Sequence, residues 1–174
     1  MQQKSSYSKE DLAAMFDTLT PPEMQLPSAP MRMMDRFTDI SKEGGGYKRG
    51  YLKAEFDINP DLWFFGCHFR GDPVMPGCLG VDALWQSLGF FLAWSGYQGK
   101  GRALGVGEVK FFGEILPHNK VVRYELNIKR VLTKEIVLGI ADGDVYVDDK
   151  HIYSAKNLRV GLIPKHMNTE GLLS

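Results

Sequence analysis

The 174-residue sequence is short of cysteine. It has two, Cys67 and Cys78. Nothing points to secretion, and the opening MQQKSSYSKEDL lacks the apolar core of a signal segment. We therefore expect free thiols in a reducing cytoplasm. No charge of one sign predominates: lysine plus arginine and aspartate plus glutamate are 21 each. That balance argues against the field of a nucleic-acid binder, so any charged partner has to be met by a local patch. A long unbroken apolar run is missing too. The most apolar stretch, CLGVDALWQSLGFFLAW at 78–94, is interrupted by Asp82 and Gln86. It reads as a helix buried in protein, not as a membrane span. The glycine runs GKGRALGVG and EGGG have no P-loop order of lysine and serine, and read as turns and bulges.

What remains is an ordinary globular composition, 44% hydrophobic and 24% charged. Its length fits one domain over 1–174. SKEDLAAMF at 8–16 predicts a short helix, with Ser8 and Asp11 in a capping-box spacing. A proline-rich connection, TLTPPEMQLPSAP, follows. Strands are expected at 31–40, at 47–58 after the EGGG turn, and in ALGVGEVKFFGEIL, VRYELNIKRVL, EIVLGIADGDVYVDD and KHIYSAKNLRVGLI. Asp148-Asp149-Lys150 is a tight hairpin candidate. Residues 61–77 read as loop, and the tail at 166–174 as frayed. One long buried helix and five to seven mostly antiparallel strands, without βαβ alternation, give an α+β class.

The loop feeds the helix through HFRGDPVMPGCLGVD, residues 68–82. His68 opens this stretch and Asp82 closes it, fourteen positions later. A lone histidine beside aromatics is commonly a packed, hydrogen-bonded residue. An aspartate near a helix start can simply suit the dipole. On a helix buried nearly all round, however, a carboxylate is costly unless it has partners or does chemistry. Between the two, Pro76-Gly77-Cys78 puts backbone N–H groups at a positive helix end. Such a place stabilises an oxyanion, and glycine allows close approach. Asp82, Gln86, Gly89 and Ala93 share one helix face, polar first and small later. It forms either a slender binding wall or a close helix–sheet contact. Cys67, His68, Asp72 and Cys78 match no zinc spacing, so no metal is expected.

WFFGCHFRGDPVMPGCLGVDALWQ resembles the active-site segment of the bacterial 3-hydroxydecanoyl-acyl-carrier-protein dehydratase/isomerase family of type II fatty acid synthesis. The resemblance extends through LPSAPMRMMDR, DINPDLWFFGCHF, GRALGVGEVKFFG, ADGDVYVDD and KNLRVGLI, most of the chain. It implies a hot-dog fold, a curved antiparallel sheet wrapped around a long central helix. It also implies a homodimer with active sites at the interface, where His68 and Asp82 meet from different subunits. His68 matches the family's catalytic histidine, Asp82 its catalytic aspartate, and Gly77 the glycine whose N–H binds the thioester carbonyl. Gln86, one turn beyond Asp82, is a candidate partner for that carboxyl.

The implied chemistry needs neither metal nor cofactor. His68 removes the C2 proton of a 3-hydroxyacyl thioester of about ten carbons, and Asp82 helps the C3 hydroxide depart. Isomerisation of the trans-2 to the cis-3 alkene uses the same parts moved one bond along. Dehydratase-only relatives have glutamate in place of Asp82, which points here to the bifunctional branch. The expected partner is acyl carrier protein, an acidic molecule, docking on Lys129, Arg130, Lys134 and Arg159. Lys134-Glu135 stands where the family has two basic residues. A dehydratase without isomerase activity, a thioesterase and an acyl-binding module are the alternatives on the same fold.

Overall fold

Helix α2 (Gly77–Trp94) dictates the architecture, because thirteen of its 18 residues are buried. A helix apolar on nearly all sides needs walls on nearly all sides. Seven strands supply them in a computed structural model that describes residues 3–17, 26–164 and 167. They are β1 (Arg36–Ser41), β2 (Tyr51–Asp57), β3 (Lys100–Gly105), β4 (Glu108–Phe111), β5 (Val121–Thr133), β6 (Val137–Val147) and β7 (Lys150–Ile163). Their order is β1-β2-β5-β6-β7-β3, with β4 also on β7, and every pairing is antiparallel. Val122, Tyr124, Leu126 and Ile128 of β5 are buried in alternation, as the period-two pattern predicts. A curved antiparallel sheet around one central helix is the hot-dog fold.

Local sequence explains the joints. Helix α1 (Lys9–Asp17) opens on a reciprocal cap. The Asp11 N–H donates to Ser8 Oγ at 3.1 Å, and the Ser8 N–H to Asp11 Oδ2 at 2.9 Å. Between β6 and β7, Asp148 and Asp149 both take positive φ, 45° and 67°. That is the backbone of a two-residue hairpin whose twist suits the strands.

Three expectations change. β1 starts at Arg36, not at 31: the Met33 N–H is taken by Gln86 Oε1 at 3.2 Å instead of by a neighbouring strand. ALGVGEVKFFGEIL splits into β3 and β4 around 106–107, with a register shift between Ala103 and Gly105. Within 61–77, Trp63–Gly66 forms a 3-10 turn that buries Phe64 and Phe65. Residues 18–25 of the proline-rich connection and the tail, apart from residue 167, lie outside the described residues. Among the described residues, no helix is long and apolar enough to cross a membrane.

The two sides of the sheet end differently. On the β1 side, residue 7 pairs with the strand: the Tyr7 N–H donates to Phe37 O at 2.8 Å and the Phe37 N–H to Tyr7 O at 2.9 Å. On the other side, β3 has β7 as its one strand neighbour among the described residues.

The outer face is held by a buried carboxylate. Asp142 is 4% exposed. It accepts from the Tyr47 hydroxyl at 2.7 Å and the Asn157 N–H at 2.9 Å, with Lys156 Nζ at 3.3 Å and Lys129 Nζ at 3.5 Å. Burial works to raise its pKa. The hydrogen bonds and the two lysines outweigh it and hold the carboxyl below its ordinary 3.8. A depressed folded pKa gives stability that is present above the unfolded value and lost as pH falls through the folded one. Asp142→Asn is expected to cost about 2 kcal/mol at neutral pH. In urea melts at stepped pH, the gap between wild type and variant narrows below 3.8. A gap that does not change with pH would show that the charge of Asp142 contributes nothing.

Candidate active site

Residues 64–75 fold so that His68 is gripped three times. The His68 N–H donates to Phe64 O at 2.8 Å, and its carbonyl accepts from the Val74 N–H at 2.8 Å. Nδ1 lies 2.8 Å from the Val74 carbonyl. A carbonyl only accepts, so Nδ1 bears the hydrogen, and Nε2 of the neutral ring is left with its lone pair. The ring also stacks on Phe69, centroids 3.9 Å apart. The loop beneath closes on itself through the Phe69 N–H to Asp72 O and the Asp72 N–H to Phe69 O, at 2.8 and 3.0 Å.

His68 lines an apolar cavity of about 530 Å³ at the start of α2. Gly77 and Cys78 border the same space, so the histidine and the first N–H groups of the helix share one cavity. At Gly77 a side chain would displace the exposed Phe111 ring. A Cβ there would lie 2.8 Å from the Phe111 ring. Phe111, 53% exposed, meets Tyr153 edge-on at 4.7 Å, and both line the cavity. Burial, then neighbouring Cys78 and Glu114, push the Tyr153 phenol up to about 12. Tyr153 thus stays protonated near neutrality.

Asp82 is placed elsewhere. It lines a second cavity of about 480 Å³ with Gln86 and Gly89. Gln86 Nε2 donates to Asp82 Oδ2 at 2.6 Å and to the Met31 carbonyl at 2.8 Å, while its Oε1 accepts from the Met33 N–H at 3.2 Å. Gln86 is 9% exposed, so a buried amide fixes the half-buried carboxylate to the chain before β1. Within one chain, then, His68 is brought to Gly77 and Asp82 to Gln86, but the two pairs face different cavities. The expected small-residue face divides. Gly89 lines the second cavity, where a Cβ would meet only Val160 Cγ1, at 3.9 Å. Ala93 is buried outside it.

Of the four basic residues expected to form a docking patch, Lys129 is engaged. Its Nζ donates to Asn157 Oδ1 at 2.8 Å and pairs with Asp142. Arg130 and Arg159 stand in register across Ile140 on one face and are exposed, as is Lys134. Cys67 and Cys78 are free and exposed. Sequence reading passed over Val74, whose contribution is a backbone carbonyl invisible in its side chain. It also passed over Trp85, whose only signal is an aromatic three places beyond Asp82.

Comparison with known proteins agrees with this fold. The FabA-like domain matches residues 26–156. Among solved structures, the dehydratase heterocomplex ApeI:P from Xenorhabdus doucetiae is similar, with a TM-score of 0.62 and 16% identity, covering 88% of this chain and 95% of that one. Cj0977, a sigma28-regulated virulence protein from Campylobacter jejuni, superposes with a TM-score of 0.55 at 10% identity, covering 83% and 95%. At these identities the structural likeness speaks for the fold.

Proposed function

Because this chain belongs to the FabA-like domain family, we propose that it dehydrates a 3-hydroxyacyl thioester borne on a carrier protein. The observation behind this reading is the pinned His68, with Nε2 left to act in an apolar cavity shared with the α2 N-terminus. His68 Nε2 takes the C2 proton. The negative charge that develops on the thioester oxygen is met by the Gly77 N–H and the helix dipole. Asp82, held by Gln86 through Oδ2, uses its other oxygen to protonate the departing C3 hydroxyl. The C2–H and C3–O bonds break, a C2–C3 double bond forms and water leaves.

His68 and Asp82 face different cavities in one chain, and among the described residues β3 has one edge without a strand partner. Both observations favour a homodimer whose sheets join at β3, so that the base of one subunit meets the acid of the other. Arg130, Lys134 and Arg159 are the surface offered to an acidic acyl carrier protein, with Lys129 reserved for the Asp142 network. The substrate length of about ten carbons and the onward isomerisation to the cis-3 alkene extend the same reading. In that step His68 moves a proton from C4 to C2 through the same stabilised enolate.

The test is product analysis by chromatography after incubation with a 3-hydroxydecanoyl thioester. Both trans-2 and cis-3 decenoyl products are expected. The trans-2 product alone would reduce the activity to dehydration. Free thiol without alkene would make the protein a thioesterase, and intact substrate would make it a binding module.

A further inference from the structure

Trp85 borders both cavities, the one with His68 and the one with Asp82. Its place on α2 explains why. Val81, one turn before it, lines the first cavity, and Gly89, one turn after it, lines the second. The indole thus lies on the boundary that the two spaces share. It is half-buried, and its single polar atom is tied: Nε1–H donates to the Gly105 carbonyl at 3.1 Å. The acceptor sits at a special point of the backbone. Gly105 ends β3 with φ at 140°, directly after the register shift against β7. A Cβ at Gly105 would meet nothing within 4 Å, so glycine there serves the backbone angle and not a lack of room. The bulge thereby presents a carbonyl to the indole at the strand end.

We propose that Trp85 is the wall that ends the acyl chain, and so a specificity-determining residue for substrate length. Each cavity is of ligand size by itself, about 530 and 480 Å³. An indole fixed at its nitrogen cannot swing aside without leaving that N–H unpaired. A chain longer than one cavity therefore meets a held ring. In a dimer whose sites combine the His68 cavity of one subunit with the Asp82 cavity of the other, the same ring separates the two sites. This rests on the reading of both cavities as acyl sites.

The experiment measures binding without turnover. Saturated acyl-pantetheine amides, lengthened in two-carbon steps, are titrated calorimetrically into wild type, Trp85→Ala and Trp85→Phe. Affinity is expected to rise roughly tenfold per step, the worth of two buried methylenes, and then to level off in the wild type. Trp85→Ala should keep rising for at least one further step, a gain of about tenfold at the first length beyond the wild-type plateau. Trp85→Phe keeps a ring and folds with little change in bulk, so it should level off within one step of the wild type. Identical plateaus in wild type and Trp85→Ala overturn the wall while leaving the acyl sites standing. No binding at any length overturns both.

Discussion

Two inactive variants, mixed, are expected to restore activity. His68→Ala removes the base and Asp82→Asn the acid, and each alone should lose about 10²–10⁴ in turnover. If the base and acid of a site come from different subunits, a mixed dimer has one site lacking both groups and one lacking neither. Random reassortment makes half the dimers mixed, and each has one working site of two, so recovery is about a quarter of wild type. A thioester dehydration assay on the co-expressed, unseparated mixture measures it, and mixed dimers isolated through two affinity tags should reach about half of wild type. A mixture as inactive as its components would place the whole site within one chain. We expect the first outcome, since within one chain His68 lies in a cavity with Gly77 and Asp82 in another with Gln86.

Gln86→Leu is expected to lower both stability and turnover. The side chain has nearly the same size, so packing changes little. What changes is the polar account. The buried Met33 N–H and the part-buried Met31 carbonyl and Asp82 Oδ2 all lose this partner. Unpaired buried groups cost about 1–3 kcal/mol each, and roughly 3 kcal/mol in total is a fair expectation after partial relaxation. For a chain of this length that lowers the melting temperature by about 10 °C. Freeing Asp82 from its tether should also cost about tenfold to a hundredfold in kcat, as small misplacements of reacting groups do. Thermal melts and steady-state kinetics read the two effects separately. A Gln86→Leu enzyme with wild-type kcat would show that Asp82 keeps its place without the amide.

The sequence made the helix and the sheet readable where one physical pattern acted alone. α2 begins at Gly77, one residue ahead of the expected Cys78, because near-uniform apolarity over eighteen residues admits few other structures. β5 follows its two-residue alternation, and Asp148-Asp149 its turn chemistry. Patterns failed where tertiary demands overrode them. β1 starts later than expected because the Met33 N–H answers to Gln86 and not to a strand. Phe64 and Phe65 anchor a loop that local signals left formless. Residue type and spacing single out His68, Gly77, Asp82 and Gln86 as candidates, while their roles come from the family resemblance. Their division between two cavities is not legible, since which side chains line which cavity is a fact of packing and leaves no period in the sequence.

The unequal rims of the sheet limit how copies of this chain can accumulate. A sheet open at both ends can add neighbours without end, which is how edge pairing runs on into fibres. Here residue 7 already occupies one rim through its paired hydrogen bonds to Phe37, and among the described residues the β3 side is left to accept another strand. If two copies pair through that rim, the pairing uses the same open side on both. The short N-terminal segment then covers the opposite rim, where edge pairing would otherwise run on.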